Sequence, residues 1–203
     1  ALVSMLSPSS LAGTGGPDGL GGVYTDSDEA DGPAYTWLDS TGGTVVSLGV
    51  DDSVEIALPF TFTFYDVEYD TVTAASDGIL YFDGASASAS PTCPATAQAF
   101  TAVAALWDDL GAGDLSYTTY GTYPWRTFVL SWDGVPHATA GGDASFQIWL
   151  LEGRNEVVVQ YSDLDFGDVS VDGGASAIVG TFAPTAGLAY SCSAAFSEDR
   201  SVW

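Results

Sequence analysis

The chain of 203 residues has very little positive charge. It contains no lysine, three arginines and one histidine against 27 acidic residues, which gives a formal net charge of −24. So few cations cannot build the positive surface that neutralises phosphates, and this excludes a nucleic acid or an anionic membrane as partner. The sequence also lacks an uninterrupted apolar run of about 18 residues, so we expect no membrane span.

Cysteine is nearly absent as well. Cys93 and Cys192 are the only two, and the chain begins at Ala1 without an initiator Met, a combination typical of a processed, secreted protein. We predict a disulfide between them and a secreted, extracellular or cell-surface location. The disulfide would close a loop of about 100 residues, for which the chain-entropy account gives about 4.7 kcal/mol. Two buried free thiols are the alternative.

The hydrophobic pattern is that of a β-protein. Residues 55–65 alternate strictly between apolar and other side chains, which only a period of two produces. Pro59 cannot donate to a ladder and places this strand at an edge or a bulge. Residues 145–151 and 156–161 are apolar runs around a short polar turn, which predicts a hairpin. Other predicted strands are 44–48, 71–74, 79–82, 103–107, 115–120, 127–132, 177–182 and 188–191.

These strands, with almost no helical periodicity, predict an all-β chain folded as an antiparallel β-sandwich, jelly-roll or Greek-key-like. With 46% hydrophobic and 13% aromatic residues, the acidic chain has enough apolar surface to fold. We expect a single sandwich domain at residues 16–203. Residues 1–15 form a short N-terminal extension, joined through the Gly-rich residues 13–22.

The extension is apolar on both faces of any strand it could form. Its anchors are Leu2, Val3, Met5 and Leu6, and Pro8 cuts short any helix. A strand of this kind needs burial on both sides, so it is a candidate donor strand that inserts into a neighbouring copy. The alternatives are a first strand packed on its own domain and a frayed terminus.

Six stretches carry a resemblance: YTDSDE (24–29), GPAYTWLD (32–39), LPFTFTFY (58–65), SDGILYF (76–82), ALWDDL (105–110) and FQIWLLEG (146–153). Together they resemble a domain of secreted, multi-part proteins of myxobacteria and related bacteria, and the middle part is similar to nidogen-type extracellular domains. The resemblance implies a secreted β-sandwich without a catalytic role. Asp66 and Asp77 stand where the family usually has Gly and Asn. We expect the domain to stand without a peptidase or anchor beside it, which would favour self-assembly over an accessory role.

Catalysis has little support in the sequence. His137 is the only histidine, and no GxSxG or other nucleophile motif accompanies it. Carboxylate pairs are uninformative in so acidic a chain. We therefore expect no enzyme.

Calcium is the better chemical hypothesis. Asp26, Asp28, Glu29 and Asp31 present hard oxygen ligands at close spacing, and we rank this cluster first as a tentative calcium site. The alternative is a solvated turn, in which Asp bonds nearby amides. Other carboxylates cluster around residues 108–114 and 163–172.

Trp125 lies in a predicted loop, where an exposed ring could stack on a sugar. Our first functional expectation is nonetheless a non-catalytic extracellular structural protein whose partners are copies of itself, assembled through Leu2, Val3, Met5 and Leu6. The alternatives are an adhesive module for a glycan or surface protein, and an accessory domain of a secreted hydrolase. Because like charges repel within about 8–10 Å, we expect assembly to depend on salt or calcium.

Overall fold

The structure is a computed structural model that describes residues 13–85 and 97–202. Its strands are β1 (Thr14–Gly15), β2 (Tyr24–Thr25), β3 (Thr44–Leu48), β4 (Ser53–Phe64), β5 (Val67–Ala75), β6 (Ile79–Tyr81), β7 (Ala102–Trp107), β8 (Gly113–Tyr120), β9 (Thr127–Pro136), β10 (Asp143–Leu151), β11 (Glu156–Asp163), β12 (Ile178–Ala183), β13 (Ala186–Cys192) and β14 (Arg200–Val202). A 3-10 turn at Asp172–Gly174 is the one helical element of the described residues.

The strands form two large sheets and one small one. Sheet I has the order β14-β11-β10-β9-β8-β3, sheet II has the order β13-β12-β7-β6-β5-β4, and β1 pairs with β2 alone. Every pairing is antiparallel. The two large sheets pack as a sandwich, which confirms the predicted all-β class. Each is built around a four-stranded meander, β8 to β11 in sheet I and β4 to β7 in sheet II.

The longest predicted strand is present as β4. It lies at the edge of sheet II, and its register with β5 shifts between Ala57 and Phe62, so Pro59 sits in an irregular part of an edge strand. A missing ladder donor is tolerated in both settings. The predicted hairpin is also confirmed, because β10 and β11 pair from Leu151 opposite Glu156 onward.

The core lies between the sheets. Trp132 of β9 stacks on Phe146 with ring centroids 5.1 Å apart, and its indole N–H donates to the Ala75 carbonyl of sheet II at 3.1 Å. This bond joins the two sheets inside the apolar layer. Such a partner is what a buried indole requires.

Both outer faces are partly covered. On sheet I, residues 33–40 cross the outside of the strands, and two buried glutamines hold them there. Gln147 donates to the Leu38 carbonyl at 2.7 Å, and the Thr36 amide donates to Gln160 at 3.2 Å. On sheet II a second buried apolar cluster forms around Tyr81, Trp107 and Phe182. Among the described residues no helix has the length and apolar character needed to span a membrane.

Candidate assembly site

A groove of about 580 Å³ lies between the sheets, on the side where β13 and β14 form their edges. Both sheets contribute walls. Sheet I supplies β11 and β14, and sheet II supplies the end of β4 together with β7, β12 and β13. The apolar wall residues are Phe64, Val103, Val157, Val159, Val179, Leu188 and Val202.

The rim of the groove is formed by residues 20–25, which include β2. Leu20 and Val23 are among the large apolar side chains that remain exposed. Val67, beside the β4–β5 turn, is exposed in the same way. Apolar surface therefore continues from the groove onto its rim, which is typical of an interaction surface.

The tyrosine hydroxyls around the groove are bonded within the protein. Tyr65 donates to Asp18 at 2.6 Å and lies 2.9 Å from the Thr181 hydroxyl, and Tyr190 donates to Asp26 at 2.9 Å. Burial raises the pKa of both Tyr65 and Tyr190 well above the usual range. The phenols stay neutral, and their rings add to the apolar wall.

A buried ion pair lies beside the groove and is bonded to Tyr190, one of the lining residues. Arg200 of β14 donates to Asp26 at 2.8 Å and to Asp28 at 2.5 Å, and the Arg200 and Asp26 side chains are 1% and 0% exposed. Asp26 also bridges to Val202, a wall residue. The N-terminal part of the described chain is thereby joined to the edge of sheet I.

Gly13, the first described residue, is hydrogen-bonded at this edge of sheet I. The Gly13 amide donates to Asp26 Oδ2 at 3.1 Å, and the Asp26 amide donates to the Gly13 carbonyl at 3.2 Å. The four predicted anchors, Leu2, Val3, Met5 and Leu6, lie outside the described residues. The segment that contains them is therefore attached beside the groove.

The predicted calcium cluster has a different organisation. Asp26 and Asp28 are paired with Arg200, while Asp31 is exposed. Asp26 Oδ1 accepts the Asp28 amide at 3.1 Å, and the Asp26 carbonyl accepts the Glu29 amide, as in an ordinary Asp turn. Within residues 13–85 and 97–202 no group of three or more His, Cys, Asp or Glu is placed to hold a metal ion. Calcium binding stays a prediction.

Only one cysteine of the predicted disulfide, Cys192, lies in the part of the chain that the structure describes. Cys192 ends β13 and packs, half-buried, against the outer cluster of sheet II, and the described chain holds no free cysteine. Cys93 lies outside the described residues. The pairing of Cys93 with Cys192 therefore stays a prediction.

Trp125 lies in the β8–β9 loop and is 65% exposed; its neighbour Tyr123 is 79% exposed. Arg126 next to them binds Glu152 through two nitrogens, at 2.7 and 2.5 Å, and the guanidinium lowers the pKa of Glu152. The loop therefore exposes two aromatic rings next to an ion pair that holds it in place.

His137 is buried, with Nε2 3.6 Å from Asp108 Oδ2. Ser176 donates to the same Asp108 oxygen. Because serine and histidine both face the carboxylate, the histidine is not placed to take the serine proton as in a Ser-His-Asp site. The arrangement ties together the loops at one end of the sandwich.

A family model described as NIDO-related matches residues 24–199, which is most of the chain, so the chain belongs to the nidogen-related family. This membership indicates a domain of the extracellular type. No curated protein and no solved structure matches the chain significantly.

Sequence reasoning missed the walls of the groove and the roles of Arg200 and Tyr190. The wall residues come from strands that are distant in sequence, so no spacing pattern in the sequence identifies them. Arg200 did carry a signal, since it is one of only three arginines in the chain. A rare cation among 27 acids is a candidate for a structural ion pair.

Proposed function

We propose that this chain is a secreted, non-catalytic structural protein, and that it assembles with copies of itself through residues 1–11. The observation that carries the proposal is the apolar groove of about 580 Å³ beside Gly13, the residue at which this segment joins the sandwich. An apolar segment and an apolar groove at one edge supply the two halves of a strand-exchange contact. Membership of the nidogen-related family supports the extracellular location.

Charge also favours this segment as the contact. The first acidic residue is Asp18, so all 27 acids lie in the remainder of the chain. A neutral segment can approach another copy without the repulsion that the acidic surfaces would feel within about 8–10 Å at physiological salt. Assembly is therefore expected to strengthen as salt screens the surfaces.

The test replaces the four anchors with serine in one variant, Leu2→Ser, Val3→Ser, Met5→Ser and Leu6→Ser. Each anchor that becomes fully buried would contribute about 1.5–3 kcal/mol, so the variant is expected to remain monomeric by light scattering. The control carries Ser7→Ala, Ser9→Ala and Ser10→Ala, and it should assemble like the parent. Equal assembly of both variants would count against the proposal.

A second candidate function is adhesion through the β8–β9 loop. Its support is the pair of exposed rings, Tyr123 and Trp125, which could stack on sugar faces. The test is binding to a glycan array: Trp125→Ala should abolish a signal that Val169→Ala, at a residue 90% exposed, leaves unchanged. Absence of any signal from the parent chain would reject this candidate. An accessory role beside a hydrolase stays a prediction from the family resemblance.

A further inference from the structure

We propose that the groove between the sheets is the acceptor site for residues 1–11 of a second copy of this chain. This inference rests on the self-assembly proposed above and adds where the segment binds. A groove of about 580 Å³ falls in the size range of clefts that enclose a ligand. Its walls come from both sheets, so an inserted strand would contact apolar side chains on both of its faces. Such a site suits a segment with apolar residues at both even and odd positions, as Leu2 and Leu6, and Val3 and Met5, are in the sequence.

The chemistry of the groove fits a neutral, apolar strand. Among its 22 lining residues only Asp66 and Glu156 are acidic. The hydroxyls of Tyr65 and Tyr190 donate to carboxylates of the protein, so they do not need a hydrogen-bond acceptor from a ligand. A charged or strongly polar ligand would find few partners there.

The backbone around the groove can also receive a strand. β14 pairs with β11 at Val159–Tyr161, and its other side is bonded to Asp26 and Ser27. β13 is the edge strand of sheet II. A strand added at a sheet edge gains affinity from main-chain hydrogen bonds.

The direction of β1 favours insertion of residues 1–11 from another copy over insertion of the chain's own residues 1–11. β1 pairs Gly15 with Tyr24 and Thr14 with Thr25, and Gly13 then lies beside Asp26. Tyr24 and Thr25 line the groove, whereas Asp26 is outside the lining and is paired with Arg200. Read toward the N-terminus, the chain therefore leaves the groove and would have to reverse to enter it.

The first experiment uses the single methionine of the chain. A photoreactive methionine analogue labels Met5 alone, and full-length chains with ¹⁴N and ¹⁵N are mixed, assembled and irradiated. Cross-links that join a light to a heavy chain at groove residues such as Val157, Val179 or Leu188 are expected. Cross-links confined to one isotope would show a chain filling its own groove and would overturn the inference. Mixed-isotope cross-links at other surfaces would overturn it while leaving self-assembly intact. Monomers without mixed cross-links would overturn both.

A second experiment blocks the groove. Val157→Trp places a large ring in the wall and should reduce the assembled fraction at least tenfold. Val169→Trp, at a site outside the lining, should leave that fraction unchanged. Circular dichroism and thermal melting check that both variants fold. Full assembly of a folded Val157→Trp chain would contradict the groove as acceptor.

Discussion

Arg200 and Asp26 form a fully buried ion pair 174 residues apart in sequence, with Nη1 2.8 Å from Oδ2. Tyr190 donates to the same carboxylate oxygen, and Asp28 accepts a second bond from the guanidinium. In a chain with three arginines, one is thus used to bind the N-terminal turn to the last described strand. The pair fixes the position of Gly13, and with it the attachment of the N-terminal segment.

Loss of this arginine should destabilise the fold. Arg200→Met leaves Asp26 buried without its counter-charge, and breaking a buried pair in this way typically costs about 3–5 kcal/mol. Arg154→Met is the matched control, because Arg154 is exposed and lies 3.5 Å from Glu156; it should change the free energy of unfolding by less than about 1 kcal/mol. Urea denaturation measures both. Similar losses in the two variants would show that the buried pair has no special role.

The β4–β5 turn should tolerate glycine better than its own aspartate. Tyr65 and Asp66 have φ values of +49° and +60°, and Phe64 pairs with Val67 around them, so both loop residues occupy the left-handed region. Glycine adopts this conformation without a Cβ penalty. Asp66→Gly should therefore raise the free energy of unfolding by up to about 1 kcal/mol. Asp66→Ala removes the same carboxylate without adding backbone freedom, and an equal gain there would contradict the explanation.

Asp77 should make stability depend on pH. The residue is buried, and its burial, with repulsion from Asp51 and Asp109, raises its pKa from 3.8 to about 6. Between about pH 4 and 6 the folded state holds this proton more tightly than the unfolded state, so the contribution of Asp77 to stability falls as pH rises. Asp77→Asn should therefore be more thermostable than the parent at pH 7, and the difference should disappear below about pH 4.

Asp52 provides a control of opposite sign. Backbone amides of Gly49 and Ser53 donate to its carboxylate and lower its pKa. Asp52→Asn should lose stability at neutral pH and regain parity in acid. Melting curves at several pH values compare the two variants. A gain at pH 7 in both would point to a general relief of negative charge.

The predicted disulfide is open to direct chemical test. Peptide mapping of the unreduced protein should recover Cys93 linked to Cys192, and reduction should lower the melting temperature. The chain-entropy account gives about 4.7 kcal/mol for so long a loop. The double variant Cys93→Ala with Cys192→Ala should melt like the reduced parent and lose any response to reductant. A free thiol count of two in the native protein would reject the pairing.

Sequence patterns correctly predicted the longer strands. β4 follows from a period of two, β10 and β11 follow from apolar runs around a short polar turn, and Pro59 correctly indicated an edge or a bulge in β4. β1, β2 and β14 have only two or three residues, too few for a period to be recognised.

The site was less accessible to such reasoning. Its walls combine strands separated by as many as 138 residues, from Phe64 to Val202, and only folding brings them together. Asp26 was singled out as a calcium ligand because spacing does not distinguish a buried carboxylate paired with Arg200 from a solvated one.

Self-assembly through the N-terminal segment has one most direct test. Negative-stain electron microscopy of the purified chain, beside a variant that lacks residues 1–11, tests it most directly at physiological salt. We predict regular filaments from the full chain, and folded monomers, checked by circular dichroism, from the shortened one. Dispersed monomers in both samples, or filaments that survive the deletion, would contradict it.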